Sequence, residues 1–219
     1  METNGAVKFR DRHEAGRILA ERLAREEDTR PALVLGIPRG GVVLADIVAK
    51  RMNAEFDIVI PRKLGAPDNE ELAIGAVTED GTAYTNTYLI NALRLRPAYV
   101  EEEMRRQVQE IKRRYLAYRK QDLSYNIAGK SVILVDDGIA TGATVIASAR
   151  WVRKRNPGSL VIAVPVAPSQ SVAVLEQEAD SVVAIHTPRD FASVGEFYEE
   201  FAPVSDDQVM EIMRARNLL

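Results

Sequence analysis

Two adjacent acids followed by a loop of small residues are the part of this sequence that could do chemistry. The stretch VILVDDGIATGATV covers residues 132–145. Its two acids and the loop that follows them are Asp136, Asp137, Gly138, Ile139, Ala140, Thr141, Gly142, Ala143 and Thr144. Adjacent carboxylates repel each other, so a sugar diol, a hydroxyl group or a cation must stabilise them. A small-residue turn before a helix offers backbone N–H groups to a phosphate. The stretch therefore predicts a site for a phosphorylated sugar.

Two further segments offer cations and close backbone approach. The sequence GIPRGG at residues 36–41 follows an apolar run, and it contains Pro38, Arg39, Gly40 and Gly41. Alone it is weak evidence for phosphate binding, because turns with two glycines between a strand and a helix are common. Arg62 and Lys63 follow the apolar run at residues 56–60. Ligands bind at the carboxyl ends of strands in open α/β sheets, so this pair is predicted to face the same site.

Several other kinds of site are excluded or disfavoured. The sequence has no Cys and only two His, which removes thiolate nucleophiles, disulfides and His-rich metal sites. The loop after the acids lacks the lysine of a nucleoside triphosphatase and the glycine spacing of a dinucleotide site. A sugar phosphatase would need a base or nucleophile besides the two acids, and none is evident.

The long, ordered stretch at residues 132–145 resembles the phosphoribosyl pyrophosphate signature of the type I phosphoribosyltransferases. Among these, the chain is most similar to members of unassigned acceptor, which share FRDR near the start and a segment like LGAP followed by ELAIGA. The resemblance implies an α/β fold, a Rossmann-like parallel sheet flanked by helices. It also implies one domain over residues 1–219, with a helical insertion at about 92–120 and a C-terminal segment over the base, the hood, at about 187–219.

The resemblance also assigns roles to residues. Residues 136–144 would bind ribose 5-phosphate, and the catalytic residues would be Asp136, Asp137, Arg62 and Lys63. The residues that would bind pyrophosphate are Pro38, Arg39, Gly40, Gly41, Arg62 and Lys63. Mg²⁺ would be held mainly by the substrate, with Asp136 or Asp137 as a protein ligand. The peptide Arg39–Gly40 is the candidate for a cis bond, and Leu64 to Glu71 would form a mobile lid. The candidates for stacking on the base are Phe191, Phe197 and Tyr198.

The implied reaction is displacement of pyrophosphate from ribose C1 by a nitrogen acceptor. Enzymes of this family that use 6-oxopurines carry an acid where Ala140 stands, and a lysine on the next strand, which here reads LVIAVPVA. Both are absent, which favours a nucleobase other than a 6-oxopurine. The alternative is a non-catalytic regulator of the same fold that senses phosphoribosyl pyrophosphate or a nucleotide. The cations at Arg39, Arg62 and Lys63 favour the enzyme.

Predicted strands and helices, which would position these residues, alternate along the chain. Residues 11–25 have apolar positions at helical spacing and are predicted to be a surface helix without chemistry. Apolar runs at residues 32–37, 56–60, 132–135, 160–167 and 181–187 predict strands, several of them followed by helices. This alternation predicts a mostly parallel sheet with helices on both faces. Asp80 and Gly81 between two strand-like runs predict a hairpin.

A long helix is predicted at residues 96–120, with an apolar stripe at Val100, Met104, Val108, Ile111 and Tyr115. Its basic second half is a weak signal for nucleic acid, since the first half is acidic; a solvated face with an apolar seam is the better interpretation. The seam and the family resemblance predict a homodimer.

Composition places the chain among ordinary globular proteins. It has 219 residues, a net charge of −3 and no apolar run of membrane-spanning length. The charge gives no reason to expect a nucleic acid partner. The absence of cysteine and of an N-terminal signal segment predicts a cytoplasmic protein that does not associate with membranes.

Overall fold

A computed structural model describes residues 8–26, 32–119 and 126–219 of the protein. Pro31, Lys120 and residues 1–7 lie outside the described residues, so the predicted end of the long helix at Lys120 and the start of the predicted single domain are not addressed. Within the described ranges, no helix is both long and apolar enough to cross a membrane.

A parallel sheet of five strands forms the centre of the fold, in the order β2-β1-β6-β7-β8. The strands are Leu33–Gly36 (β1), Glu55–Ile58 (β2), Ser131–Val135 (β6), Ser159–Val166 (β7) and Ser181–His186 (β8). Gly36, the last residue of β1, is paired with Ile58 on one side and with Val135 on the other. The segments that follow these strands therefore leave the sheet at one edge, as the sequence predicts.

Helices cover both faces of this sheet. The helices are Arg12–Ala24 (α1), Gly40–Met52 (α2), Thr87–Ala92 (α3), Pro97–Tyr118 (α4), Ala143–Arg153 (α5), Ser169–Leu175 (α6) and Asp206–Ala215 (α7), with a 3₁₀ turn at Val194–Phe197. Leu19 of α1 and Leu44 of α2 are buried on one face with Val34. Trp151 of α5 is buried on the other face with Leu35. Alternate strand residues thus supply two cores, and the predicted α/β fold class is confirmed.

A smaller antiparallel sheet lies beside the first and includes the segment predicted to be a lid. Its strands are Arg62–Ala66 (β3), Asn69–Val77 (β4) and Ala83–Thr85 (β5), in that order. The hairpin predicted at Asp80 and Gly81 is confirmed. The segment Leu64 to Glu71, predicted to be a mobile lid, is not a loop: only Pro67 and Asp68 form the turn, and Leu64 and Ala66 are buried in strand β3.

Helix α4 packs across β3 and β4. Ile111 and Tyr115, from the stripe predicted on this helix, are fully or almost fully buried, while Val100, Met104 and Val108 pack against the same core. The apolar seam is therefore covered by its own chain, and this seam no longer supports a homodimer.

The C-terminal segment is divided between the cleft and the helices α2 and α4. Helix α7 is preceded by its N-cap Ser205, whose side chain forms a capping box with Gln208. The helix packs on α2 and α4. Arg216 just beyond it donates to Asp46 of α2 with an Nε–Oδ1 distance of 2.7 Å. Only part of the predicted hood at 187–219 therefore approaches the ligand edge of the sheet.

Asp57 on β2 provides a pH-dependent contribution to stability. Arg119 lies 2.8 Å from its Oδ2, but burial dominates and raises the pKa of Asp57 to about 6. The folded protein then binds this proton more tightly than the unfolded chain. The free energy of unfolding should therefore fall by about 2 kcal/mol as the pH rises from about 4 to about 7.

Urea unfolding of the wild type and of Asp57→Asn at both pH values checks this prediction. The variant cannot titrate at this position, so its stability relative to the wild type should rise by about 2 kcal/mol over the interval. A difference that stays constant with pH would contradict the prediction.

Candidate functional site

A cleft of about 480 Å³ lies at the carboxyl edge of the parallel sheet. Strands β1 and β6 are neighbours there, although β1 pairs with β2 on its other side and β6 with β7. The connections thus diverge between β1 and β6, and such a divergence opens the crevice where open α/β sheets bind ligands. The cleft is lined by the segments that follow both strands and by residues of β3, β4, β5 and α3.

Two glycines allow the segments after β1 and β6 to touch. A Cβ atom on Gly40 would lie 1.7 Å from Asp137 Oδ2, and one on Gly41 would lie 2.7 Å from the Val135 carbonyl oxygen. No side chain fits at either position. Pro38, Arg39 and Gly40 line the cleft, whereas Gly41 is buried behind it. The cis peptide bond predicted at Arg39–Gly40 lies one residue earlier, at Pro38–Arg39.

The loop at residues 138–144 lines the cleft throughout. Gly142 has a φ of 78°, a backbone conformation that favours glycine, and it begins helix α5 without a side-chain cap. Ile139 N–H donates to the Val166 carbonyl at 2.9 Å, which ties the loop to the end of β7. Ser171 donates to the Ala140 carbonyl at 2.8 Å. The helix start, with its N–H groups, and Thr141 and Thr144 thus line the same cleft, as a bound phosphate would require.

The two acids have different surroundings. Asp136 Oδ1 accepts from the Asp137 N–H at 2.8 Å, and Asp137 Oδ2 accepts from Arg12 Nε at 2.7 Å. Burial and the neighbouring Asp137 carboxylate raise the pKa of Asp136 well above its usual value. Burial also raises the pKa of Asp137, but Arg12 opposes this shift. Asp137 therefore has a cation as its partner, whereas Asp136 has none among the described residues and would be stabilised in its ionised form by a cation or a hydroxyl donor.

Arg12 is a site residue that sequence reasoning missed, since the first helix was predicted to carry no chemistry. Its guanidinium Cζ lies 3.9 Å from the centre of the Phe201 ring, and its Nη1 donates to the Ala202 carbonyl at 2.7 Å. The hydroxyl of Tyr198 donates to the Asp137 carbonyl at 2.6 Å. No local sequence pattern predicts these contacts. The position of Arg12 in the FRDR segment, directly after the helix cap, was the only available signal.

The cations predicted to bind pyrophosphate do not all lie at the same place. Arg39 and Lys63 line the cleft, and Arg39 Nη1 also lies 3.5 Å from Asp206 Oδ1 at the start of α7. Arg62 does not line the cleft: its Nε donates to Gln107 Oε1 of α4. Arg62 and Lys63 are adjacent on strand β3, and adjacent strand residues point to opposite faces. Lys63 therefore borders the cleft that contains the acids, whereas Arg62 borders a second cavity, which Lys63 and Thr144 also line.

The aromatic residues predicted for the hood do not line the cleft. Phe197 and Tyr198 are only 4% and 3% exposed, and Phe191 stacks on Phe197 with ring centres 5.5 Å apart. These rings therefore pack against the protein itself. Val194, in the 3₁₀ turn, is instead the residue of this segment that lines the cleft.

The opposite wall of the cleft was not foreseen. Leu72, Tyr84, Asn86 and Leu89 line it from β4, β5 and the start of α3. These side chains are ordinary strand and helix residues in the sequence, so only the pairing of β4 with β5 brings them to the site. Within the described ranges, no group of three or more His, Asp or Glu side chains could hold a metal ion by itself.

Comparisons with known proteins agree on one family. A family model described as a phosphoribosyl transferase domain matches residues 11–200. A Mycobacterium tuberculosis H37Rv protein whose name assigns it to the phosphoribosyl transferases is 40% identical over 205 residues, which cover 94% of this chain and 46% of that protein. The chain thus spans about half the length of the curated relatives it matches. The crystal structure of TT1426 from Thermus thermophilus matches with a TM-score of 0.78 at 43% identity, covering 94% of this chain and 97% of that one.

Proposed function

Since the chain belongs to the phosphoribosyl transferase family, we propose that it transfers the 5-phosphoribosyl group from phosphoribosyl pyrophosphate to a nitrogen acceptor. The observation that carries the proposal is that the acids Asp136 and Asp137, the start of α5 and the cation Lys63 line one cleft. These are the groups that a sugar diol, a 5-phosphate and a pyrophosphate need. The cleft volume of about 480 Å³ suits a ligand of this size.

The ribose 5-phosphate would lie over the segment after β6. The N–H groups at the start of α5 and the hydroxyls of Thr141 and Thr144 would bind the phosphate. Asp136 and Asp137 would accept hydrogen bonds from the ribose hydroxyls. Because Arg12 holds Asp137 Oδ2, Asp136 offers the more available carboxylate.

The pyrophosphate would lie over the segment after β1. Lys63 and Arg39 line the cleft there and would stabilise the negative charge that grows on the leaving group. Because Gly40 has no side chain, the backbone there can approach the pyrophosphate closely. The reaction breaks the bond between ribose C1 and the pyrophosphate oxygen and forms a bond from C1 to the acceptor nitrogen. The protein would contribute position, charge and the exclusion of water.

Magnesium fits the acids of this site. Arg12 supplies one positive charge for two adjacent buried carboxylates, so a divalent cation would stabilise the ionised form of Asp136. Mg²⁺ prefers oxygen ligands and keeps several from its substrate or from water. When bound, it would neutralise pyrophosphate charge, with Asp136 or Asp137 as its contact to the protein.

For the acceptor we propose a nucleobase other than a 6-oxopurine. Ala140 offers no carboxylate, and its carbonyl is taken by Ser171. Strand β7 carries no lysine. Val194 and Tyr84 line the cleft as apolar and aromatic surfaces, which suits the face of a planar ring.

We also propose a cytoplasmic homodimer. The lack of cysteine suits a reducing compartment. Tyr88 and Leu116 are large hydrophobic side chains that are 77% and 82% exposed, and they offer contact points now that the seam of α4 is buried.

A binding measurement tests the sugar site. Asp136→Asn keeps the size and one oxygen but removes the charge, so its affinity for phosphoribosyl pyrophosphate with Mg²⁺ should fall by about tenfold to 100-fold. Isothermal titration calorimetry measures this. Asp207→Asn on α7, which is exposed and does not line the cleft, is the matched control. Equal affinities of Asp136→Asn and the wild type would exclude Asp136 from the ribose site.

Release of pyrophosphate with a panel of free nucleobases then separates the enzyme from the sensor. Turnover with adenine or a pyrimidine, and none with hypoxanthine or guanine, is the expected result. Tight binding of phosphoribosyl pyrophosphate without turnover on any base would favour a regulator. A wild type that binds no phosphoribosyl pyrophosphate would contradict both.

A further inference from the structure

Helix α4 carries four polar side chains on the face that packs against the fold. They are Tyr99, Glu103, Gln107 and Tyr115, and we call them the polar face of α4. With Ile111 they are spaced by four residues, so they lie above one another on one side of the helix. Glu103 and Gln107 are only 5% and 6% exposed. Buried polar groups are expensive unless they are hydrogen-bonded.

The polar face of α4 contacts both ends of one short segment, residues 60–65. Tyr115 Oη accepts from the Ile60 N–H at 3.0 Å. Tyr99, which lies roughly four turns earlier on the helix, donates from its Oη to the Gly65 carbonyl at 2.8 Å. The helix thus spans the segment from residue 60 to residue 65.

The middle of the segment is held by the two buried side chains. Gln107 Oε1 accepts from Arg62 Nε, and Gln107 Nε2 donates to Glu103 Oε1 at 2.7 Å. Glu103 Oε1 also accepts from the Gly65 N–H at 3.5 Å, and Arg106 Nε donates to Glu103 Oε2 at 2.7 Å. Every member of the polar face therefore has a partner on this segment.

Lys63 lies between Ile60 and Gly65, whose backbone groups are hydrogen-bonded to α4. Because strand residues alternate, fixing Arg62 against Gln107 turns Lys63 to the other face of β3, where it lines the cleft. Lys63 is itself exposed and has a long flexible side chain. Its direction therefore depends on the backbone that α4 holds.

We propose that the polar face of α4 positions Lys63 for the pyrophosphate group, with Gln107 as the central positioning residue. The inference rests on the proposed function, because it assigns α4 a part in the same site. It gives the long helix a role beyond covering apolar surface. Without this face, β3 would still pair with β4, but Arg62 and Lys63 would no longer be held in one orientation.

A double-mutant cycle tests the inference. Gln107→Met keeps the length of the side chain and removes its hydrogen bonds, and Gln109→Met on the exposed side of α4 is the matched control. The measurement is the affinity for pyrophosphate with Mg²⁺, by calorimetry, in the wild-type and Lys63→Ala backgrounds. Gln107→Met should weaken binding about tenfold in the wild-type background and less than about twofold in the Lys63→Ala background. Gln109→Met should change neither.

The other outcomes are equally informative. An equal loss in both backgrounds, or no loss in either, would show that Gln107 does not act through Lys63 and would overturn the inference while leaving the proposed function intact. If Gln107→Met does not fold, Tyr99→Phe, which removes only the hydroxyl that binds Gly65, replaces it in the same cycle. A wild type that binds neither pyrophosphate nor phosphoribosyl pyrophosphate would contradict the proposed function, and this inference with it.

Discussion

Replacing Gly40 with alanine is expected to weaken the binding of phosphoribosyl pyrophosphate by about 100-fold or more. The new Cβ atom would lie 1.7 Å from Asp137 Oδ2 and 2.8 Å from Arg12 Nε. The carboxylate would have to move by about 1 Å or more. A misplacement of this size costs about 100-fold in the rate of a positioned reaction, and we expect a comparable loss of affinity here. The ion pair between Arg12 and Asp137 would be broken by the same movement. Calorimetric titration with phosphoribosyl pyrophosphate and Mg²⁺ measures the effect.

Gly81→Ala is the control for the backbone effect of such a change. Gly81 lies in the hairpin turn with a φ of 81°, and a Cβ atom added there would meet no atom within 4 Å. Its replacement should cost about 1 kcal/mol of stability and leave binding unchanged. If Gly40→Ala bound as tightly as Gly81→Ala, the close approach of the two loops would not be needed for the ligand.

Replacing Arg12 with alanine is expected to lower the free energy of unfolding by about 3–5 kcal/mol at neutral pH. The change removes one partner of a largely buried ion pair, in which the side chains of Arg12 and Asp137 are 11% and 16% exposed. It also removes the cation over the Phe201 ring. Urea unfolding, together with the affinity for phosphoribosyl pyrophosphate, measures both consequences.

Two variants sharpen this experiment. Arg17→Ala on the same helix, at an exposed position, should change stability by less than about 0.5 kcal/mol. Arg12→Lys keeps the charge but cannot donate to Asp137 and Ala202 in the same forked geometry, so it should recover only part of the loss. A stability of Arg12→Ala close to that of Arg17→Ala would mean that the ion pair contributes nothing to the fold.

The centre of the site could be predicted from the sequence because its parts are neighbours in the chain. Asp136, Asp137 and the loop to Thr144 belong to one turn between a strand and a helix, and their order alone indicates a sugar phosphate. The parallel sheet could also be predicted, since apolar runs and helical spacings repeat along the chain. Such local patterns survive in the fold because neighbouring residues cannot separate.

What the sequence did not reveal depends on contacts between distant residues. Arg12 meets Asp137 only after α1 has packed on the sheet, and Gln107 meets Arg62 only after α4 has packed on β3. In the sequence, Arg62 and Lys63 resemble one pair of cations at the start of a loop. As part of a strand, they lie on opposite faces.

The hood shows the same limit in another form. Phe191, Phe197 and Tyr198 are aromatic, which suits a base, but aromatic residues also form cores. Nothing local distinguishes the two uses. Here Phe197 and Tyr198 are buried, and the smaller Val194 is the one that lines the cleft.

The contacts of Arg12 tie the sugar site to segments that are far apart in the chain. Its guanidinium joins Asp137, 125 residues away in sequence, and the Ala202 carbonyl, 190 residues away. Contacts between such distant residues require long loops to close, and this entropy cost slows folding. A growing chain that already contains the loop at residues 136–144, but not yet Ala202, would therefore lack the carbonyl that holds the Arg12 guanidinium beside Asp137. Ligand binding by this protein should thus report that the segment around Ala202 has been synthesised and has folded against the first helix.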